Sequence, residues 1–160
     1  MDLVYGSYMQ SVDASGRFVV PLEFRNFLGD SCVIMKGVGC LWLMRSELAE
    51  SIKLQLQQKA NGQLASMFNS KVSVLARHLY SGMSECVFDK NGRIALSQEQ
   101  RQYTKITSSA KLCGVGGYIE IWNPTTINEI SKQYETNEEL LEIADLLFEN
   151  SDDNHNVNLS

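Results

Sequence analysis

The residues of this 160-residue chain best suited to chemistry are arginines that recur together with their neighbours. The segment Asp13-Ala14-Ser15-Gly16-Arg17 returns as Asp89-Lys90-Asn91-Gly92-Arg93, and the later Arg25 returns as Arg101, all at an offset of 76. Arg carries a rigid planar fork of donors that matches a phosphate or the major-groove edge of guanine bidentately. Two equivalent segments could therefore present paired arginines, with Lys90 and Lys36 nearby, to a nucleic acid. A plainer reading competes with this one. Asp13 with Arg17, and Asp89 with Arg93, make short ion pairs that hold a turn, each contributing only about 0–1 kcal/mol at a surface. Arg25 and Arg101 serve equally well as solvated helix positions.

Catalysis has weak candidates. His78 follows Arg77 on an amphipathic helix and reads as a solvated side chain, and His155 lies near the end of the chain. Asp13 and Asp89 are explained by turn formation. Cys32, Cys40, Cys86 and Cys113 show no C-x-x-C spacing and sit in apolar stretches, which suits buried, reduced thiols better than zinc ligands. Gly114-Val115-Gly116-Gly117 precedes a strand-like run, so it does not read as a dinucleotide loop. No catalytic site, metal site or cofactor is expected.

The elements that must position the arginines follow from the same repeats. Asp at the first position and Gly at the fourth suit a type I turn with a left-handed residue, so Asp13–Gly16 and Asp89–Gly92 each predict a β-hairpin. Its strands would be Val4–Val12 with Arg17–Val20, and Ser84–Phe88 with Gly92–Leu96. A short helix follows each, opened by Pro21 at its first position and closed by Gly29 in the first copy, and opened by a Ser97–Gln100 capping box in the second. Second hairpins join Cys32–Lys36 to Cys40–Met44 and Lys111–Cys113 to Tyr118–Trp122. Between the copies, Leu48, Ile52 and Leu56 predict one helix after Ser46. Leu64, Met67, Phe68, Leu75 and Leu79 predict another, with Asn61-Gly62 turning between them. A helix over about 125–134 and one opened by a Thr136–Glu139 capping box complete the chain, and 151–160 reads as a disordered polar tail.

Composition bounds these readings. With 44% hydrophobic residues the chain can bury a core, and no run approaches the roughly 18 apolar residues of a membrane span. The start Met1-Asp2-Leu3-Val4 lacks the basic-then-apolar order of a signal peptide, which points to a cytoplasmic protein outside any membrane. The net charge of −5 argues against nucleic acid until its distribution is considered. Residues 135–160 hold eight of the 19 acids and none of the 14 Lys and Arg residues, so residues 1–134 carry a net +3.

The pattern Asp-x-x-Gly-Arg-x-x-x-Pro-x-x-x-Arg over Asp13–Arg25 and its copy over Asp89–Arg101 resemble the MraZ family closely. So do Tyr80–Cys86, leading into the second copy, and Ile119-Glu120-Ile121-Trp122; the resemblance spans about residues 1–134. It implies an α+β fold, a swapped-hairpin AbrB-like β-barrel formed as an intrachain pseudo-dimer from two repeats, with flanking helices. The implied divisions are SpoVT-AbrB domains at 7–54 and 83–126, a helical connector at 55–82, C-terminal helices at 127–150 and the tail at 151–160. It further implies a nucleoid-associated transcriptional regulator, chiefly a repressor of the division and cell-wall gene cluster. Such a protein assembles as a homo-oligomeric ring on direct repeats of a short G-rich box in double-stranded promoter DNA. By motif, Arg17 and Arg93 are the principal DNA contacts, oriented by Asp13, Gly16, Asp89 and Gly92. Arg25, Arg101 and Lys90 give support or phosphate contact. Ala14 stands where Lys90 stands in the second copy, so the two turns are expected to contribute unequally. The alternative keeps the fold but makes the chain a protein-interaction module or antitoxin-like scaffold, using the acidic amphipathic stretch around Glu138–Glu149.

Overall fold

The computed structural model describes residues 2–61, 70–135 and 138–157. The first repeat supplies β1 (Val4–Ser11), β2 (Arg17–Val19), α1 (Leu22–Leu28), β3 (Ser31–Lys36) and β4 (Leu41–Arg45), followed by α2 (Ser46–Asn61) and α3 (Ser70–Ser81). The second runs in the same order through β5 (Ser84–Val87), β6 (Arg93–Ala95), α4 (Gln98–Thr104), β7 (Ser109–Gly116) and β8 (Ile119–Trp122), before α5 (Pro124–Glu135) and α6 (Glu138–Val157). The class is α+β, as expected.

Strand pairing departs from the expected hairpins. The turns at Asp13 and Asp89 form, each closed by a bond from the Asp N–H to the arginine carbonyl, but the strands beyond them separate. β1 pairs with β7 from Val4↔Gly116 to Ser11↔Ser109, and β5 pairs with β3 from Ser31↔Val87 to Ile34↔Ser84. β2 pairs with β6. Each turn thus hands its second strand to the other repeat. β7 is longer than the expected Lys111–Cys113 because β1 accompanies it along its whole length.

The expected closed barrel is also corrected. Six strands form one antiparallel sheet in the order β1-β7-β8-β4-β3-β5, and β2 with β6 forms a separate two-stranded ribbon. β1 and β5 remain at the two edges because each continues through its turn into the ribbon instead of pairing with the other. Expected second hairpins do form, as β3 with β4 and β7 with β8.

Alternation along the strands divides the buried residues into two clusters. Phe18, Val20, Phe24, Leu28, Ile34 and Leu43 from the first repeat pack with Ile94, Leu96, Leu112, Ile119 and Ile121 from the second. Each such fully buried aliphatic or aromatic side chain contributes about 1.5–3 kcal/mol. On the other side of β3, Val33 and Met35 pack with Met44, Ala49 and Leu79, and Leu48, Ile52 and Leu56 of α2 lean against them as their spacing predicts. Leu64, Met67 and Phe68 and the Gly62 turn lie outside the described residues. The second repeat has replaced core positions with polar ones: Gln100 and Thr104 are buried where the first has Phe24 and Leu28. Gln100 is satisfied, donating to the Gly82 carbonyl and Ser84 Oγ, each at 2.7 Å, and accepting from Ser97 N–H at 2.9 Å.

Helix ends follow local chemistry. The Ser97–Gln100 capping box is present in both directions. Pro21 is the N-cap residue rather than the first helical one, and Gly29 ends α1 at φ 86° with its N–H on the Arg25 carbonyl. The chain divides into two compact units, Met1–Pro124 and Thr125–Ser160, and both repeats belong to the first. In the second, α6 continues to Val157, so residues 151–157 are helical where disorder was expected. No Pro or Gly interrupts Glu138–Val157, and extending a helix costs far less than nucleating one. The first two residues of the expected Thr136–Glu139 capping box lie outside the described residues.

Candidate nucleic-acid interface

Each Asp turn is built as a small cradle. Asp13 Oδ1 accepts from the N–H groups of Ser15 and Arg17, both at 2.9 Å, and Oδ2 accepts from Arg17 Nε at 2.8 Å. Asp89 repeats this with Asn91 N–H at 2.9 Å, Arg93 N–H at 2.8 Å and Arg93 Nε at 3.0 Å. The backbone bond from the arginine, supported by its side chain and by the Ser15 or Asn91 N–H, holds both carboxyls below the usual carboxylate range despite partial desolvation. Nε is thereby fixed on the aspartate, and the two Nη groups of each arginine lie outside that bond. Asp13 and Asp89, expected to orient the arginines, are each bonded to one through its Nε.

The ribbon brings the two arginines together. In its ladder Arg17 faces Ala95, Phe18 faces Ile94 and Val19 faces Arg93. Because side chains alternate, Phe18 and Ile94 point into the core while Arg17, Val19, Arg93 and Ala95 share the opposite face. Arg17 and Arg93 are diagonal neighbours on that face, a relation that places their backbones about 7–8 Å apart. The arginine side chains are 48% and 30% exposed. Val19 and Ala95 are exposed beside them and were not foreseen; only the cross-repeat register identifies them.

Arg25 and Arg101 sit behind the turns, crosswise. Arg25 of α1 donates from Nε to the Val20 carbonyl at 3.0 Å and lays its guanidinium against Gly92, in the turn of the other repeat. Arg101 of α4 donates from Nη1 to the Ala14 carbonyl at 3.2 Å and lies against Gly16. Gly16 at φ 85° and Gly92 at φ 73° have no room for a side chain there: a Cβ on Gly16 would collide with the Leu96 carbonyl oxygen, and one on Gly92 with the Arg25 guanidinium. Each glycine carbonyl also receives a bond from the other repeat, Gly16 from Leu96 N–H at 2.9 Å and Gly92 from Val20 N–H at 3.0 Å.

Among the lysines, Lys90 is exposed on the second turn. Lys36 is committed elsewhere: its Nζ lies 2.9 Å from Glu99 Oε1 and 5.3 Å from the Tyr103 ring centre, and its side chain is only 14% exposed. His78 is not a solvated helix residue, since it is half-buried with Nε2 at 2.7 Å from the Gly37 carbonyl. Among the described residues no three His, Cys, Asp or Glu groups are placed to hold a metal ion, and no helix is long and apolar enough to cross a membrane. The four cysteines are free thiols, and burial pushes Cys40 up to about 12.

Comparison with known proteins adds a second line. Residues 79–147 match a family model described as "MraZ protein, putative antitoxin-like". The chain is 34% identical over 146 residues to a protein of Desulforamulus reducens named transcriptional regulator MraZ, covering 89% of this chain and 98% of that one. Proteins of the same name from Lactiplantibacillus plantarum and Acetivibrio thermocellus are 30% and 31% identical. They cover 84% and 76% of this chain, and 89% and 81% of their own lengths.

Proposed function

Since the chain belongs to the MraZ family, we propose that it is a transcriptional regulator that binds promoter DNA through the β2–β6 ribbon. One observation carries this: repeat-equivalent arginines from distant parts of the chain meet on one exposed face of a two-stranded ribbon, each oriented by its own aspartate. A two-stranded ribbon has the width to enter the major groove, where Arg reads guanine O6 and N7. Arg17 and Arg93 are the base-reading residues of this proposal, Val19 is placed to touch a thymine methyl, and Lys90 reaches a phosphate. Arg25 and Arg101 act mainly by holding the turns, with phosphate contact as a secondary role.

The finer reading comes from the family resemblance. The two copies, 7–54 and 83–126, form an AbrB-like pseudo-dimer, supported by the reciprocal pairing of β1 with β7 and β5 with β3. The protein represses the division and cell-wall cluster, its own gene included, by binding direct repeats of a short G-rich box as a ring. Repeated protomers on repeated boxes make later contacts intramolecular, which raises avidity by about 10²–10⁴ and offsets the modest charge of a single copy.

A second reading, a protein-interaction module of antitoxin type, draws on α6, where Leu140, Leu141, Ile143, Leu146 and Phe148 are exposed on an acidic helix. Titration of the full chain on the DNA upstream of its own gene separates the two. The regulator is expected to weaken steeply and log-linearly with salt, and Arg17→Ala to reduce affinity more than removal of residues 151–160. Absence of protection at low salt, or equal losses in both variants, contradicts the DNA reading.

A further inference from the structure

Two repeat-equivalent grooves flank the turns, and they have diverged. One is lined by Leu22, Arg25, Asn26, Gly29 and Asp30, with Val87 and Phe88 from beside the second turn. The other, of about 510 Å³, is lined at the matching positions by Gln98, Arg101, Gln102, Lys105 and Ile106, with Asp13 and Ala14 of the first turn. Position for position, an apolar side chain has become an amide, a glycine has become a lysine and an acid has become an isoleucine. The second groove is richer in cationic and amide side chains than the first.

Two cationic side chains line that groove, and one of them stands where the backbone disfavours it. Lys105 ends α4 in the left-handed conformation at φ 59° and is alone among the described non-glycine residues in having positive φ. Its repeat partner Gly29 ends α1 at φ 86° and ψ −159°, also at positive φ, where glycine is without strain and nothing lies within 4 Å of a would-be Cβ. A lysine at this position is disfavoured by the backbone, so its value lies in its ammonium. That side chain is exposed and has no carboxylate partner among the described residues. Arg101 lines the same groove and supplies the second cation, its Nη1 on the Ala14 carbonyl at 3.2 Å and its Nε buried against Gly16. The Asp13 carboxylate at the rim is already engaged by Arg17.

We propose that this groove, with Arg101 and Lys105 as its cations and Gln98 and Gln102 as neutral donors, seats a phosphate of the DNA backbone next to the first turn. The proposal rests on the reading of the ribbon as a DNA-binding surface and adds a fixed, one-sided anchor to it. The second turn carries Lys90 where the first carries Ala14, so the two sides of the ribbon reach the backbone by different means. One side uses a lysine on the turn itself, the other a lysine on the helix behind it.

Lys105→Gly separates charge from backbone strain, because glycine relieves the left-handed cap while removing the ammonium. The full-length variant is expected to melt at a higher temperature than the parent. In anisotropy titrations it is expected to bind more weakly, with a log-log salt slope shallower by about one. The loss should be equal on a duplex from upstream of the protein's own gene and on a shuffled duplex of the same length, because a phosphate contact is indifferent to sequence. Asn26→Ala in the other groove is expected to leave the slope unchanged. Parental affinity and slope in Lys105→Gly would overturn the seat while leaving the ribbon reading intact. If the parent shifts neither duplex at low salt, both fall. If inorganic phosphate raises the melting temperature of the parent but not of Lys105→Gly, while DNA binding is the same in both, the groove takes a free anion and the proposal is overturned.

Discussion

Asp13 and Asp89 each gather two backbone N–H groups and an arginine Nε onto one carboxylate, and this explains both their recurrence and the low proton affinity of the pair. Because the folded state holds these carboxyls below their ordinary value of 3.8, they favour folding at any pH above that value. The contribution is lost as pH falls through the depressed folded value. The double variant Asp13→Asn, Asp89→Asn is therefore expected to be less stable than the parent at neutral pH, with the gap closing in acid below 3.8. Urea unfolding across a pH series measures it, and a gap that persists unchanged into strong acid would show that the charge is not what matters. These turns were legible in the sequence, since Asp and Gly at fixed spacing act on their own backbone. The positions of Lys36 and His78 were not, because their partners Glu99 and Gly37 lie 63 and 41 residues away along the chain.

At the scale of elements, the short ribbon is extended by two glycines, Gly16 and Gly92, whose carbonyls each accept a bond from the other repeat. Gly16 combines a left-handed backbone with contact to the Leu96 carbonyl and the Arg101 side chain, whereas Gly29 has the same φ with open space around it. Gly29→Ala is expected to cost about 1–3 kcal/mol, the penalty of a non-glycine residue at φ 86° and ψ −159° with no clash added. Gly16→Ala carries a positive-φ penalty of its own and must also displace the facing Leu96 carbonyl, so its melting temperature should fall further. Equal shifts in the two variants would mean that the close approach to Leu96 does not constrain the fold. The capping box at Ser97 and the helix end at Gly29 could be read from neighbouring residues. Continuation of α6 through 151–157 could not, because a polar composition leaves open whether an established helix extends or frays.

For the whole molecule, the decisive fact is that the repeats are interleaved. β1, β2 and β5 take all their ladder partners from the opposite repeat, and Arg25 and Arg101 each brace the opposite turn. Neither half can complete its core alone, since the main cluster draws on both. Fragments separated between residues 65 and 66 are expected to be unfolded individually and to regain β-structure when mixed, as followed by circular dichroism. A first fragment folded on its own would contradict the interleaving. The division of charge explains how a chain of net charge −5 can present cations, since eight acids lie in residues 135–160 and residues 1–134 carry a net +3.

The amino-acid sequence by itself determined the repeat, the turns, the caps and the division of charge. These arise from residues within a few positions of one another, or from bare counting. Tertiary structure alone decided which strand each turn delivers to which partner, and with it the meeting of Arg17 with Arg93, the exposure of Val19 and the groove beneath Lys105. Backbone donors and acceptors are alike in every strand, so local chemistry cannot choose among partners. The choice falls to the pairing that buries Phe18, Ile94 and their neighbours from both repeats in one core.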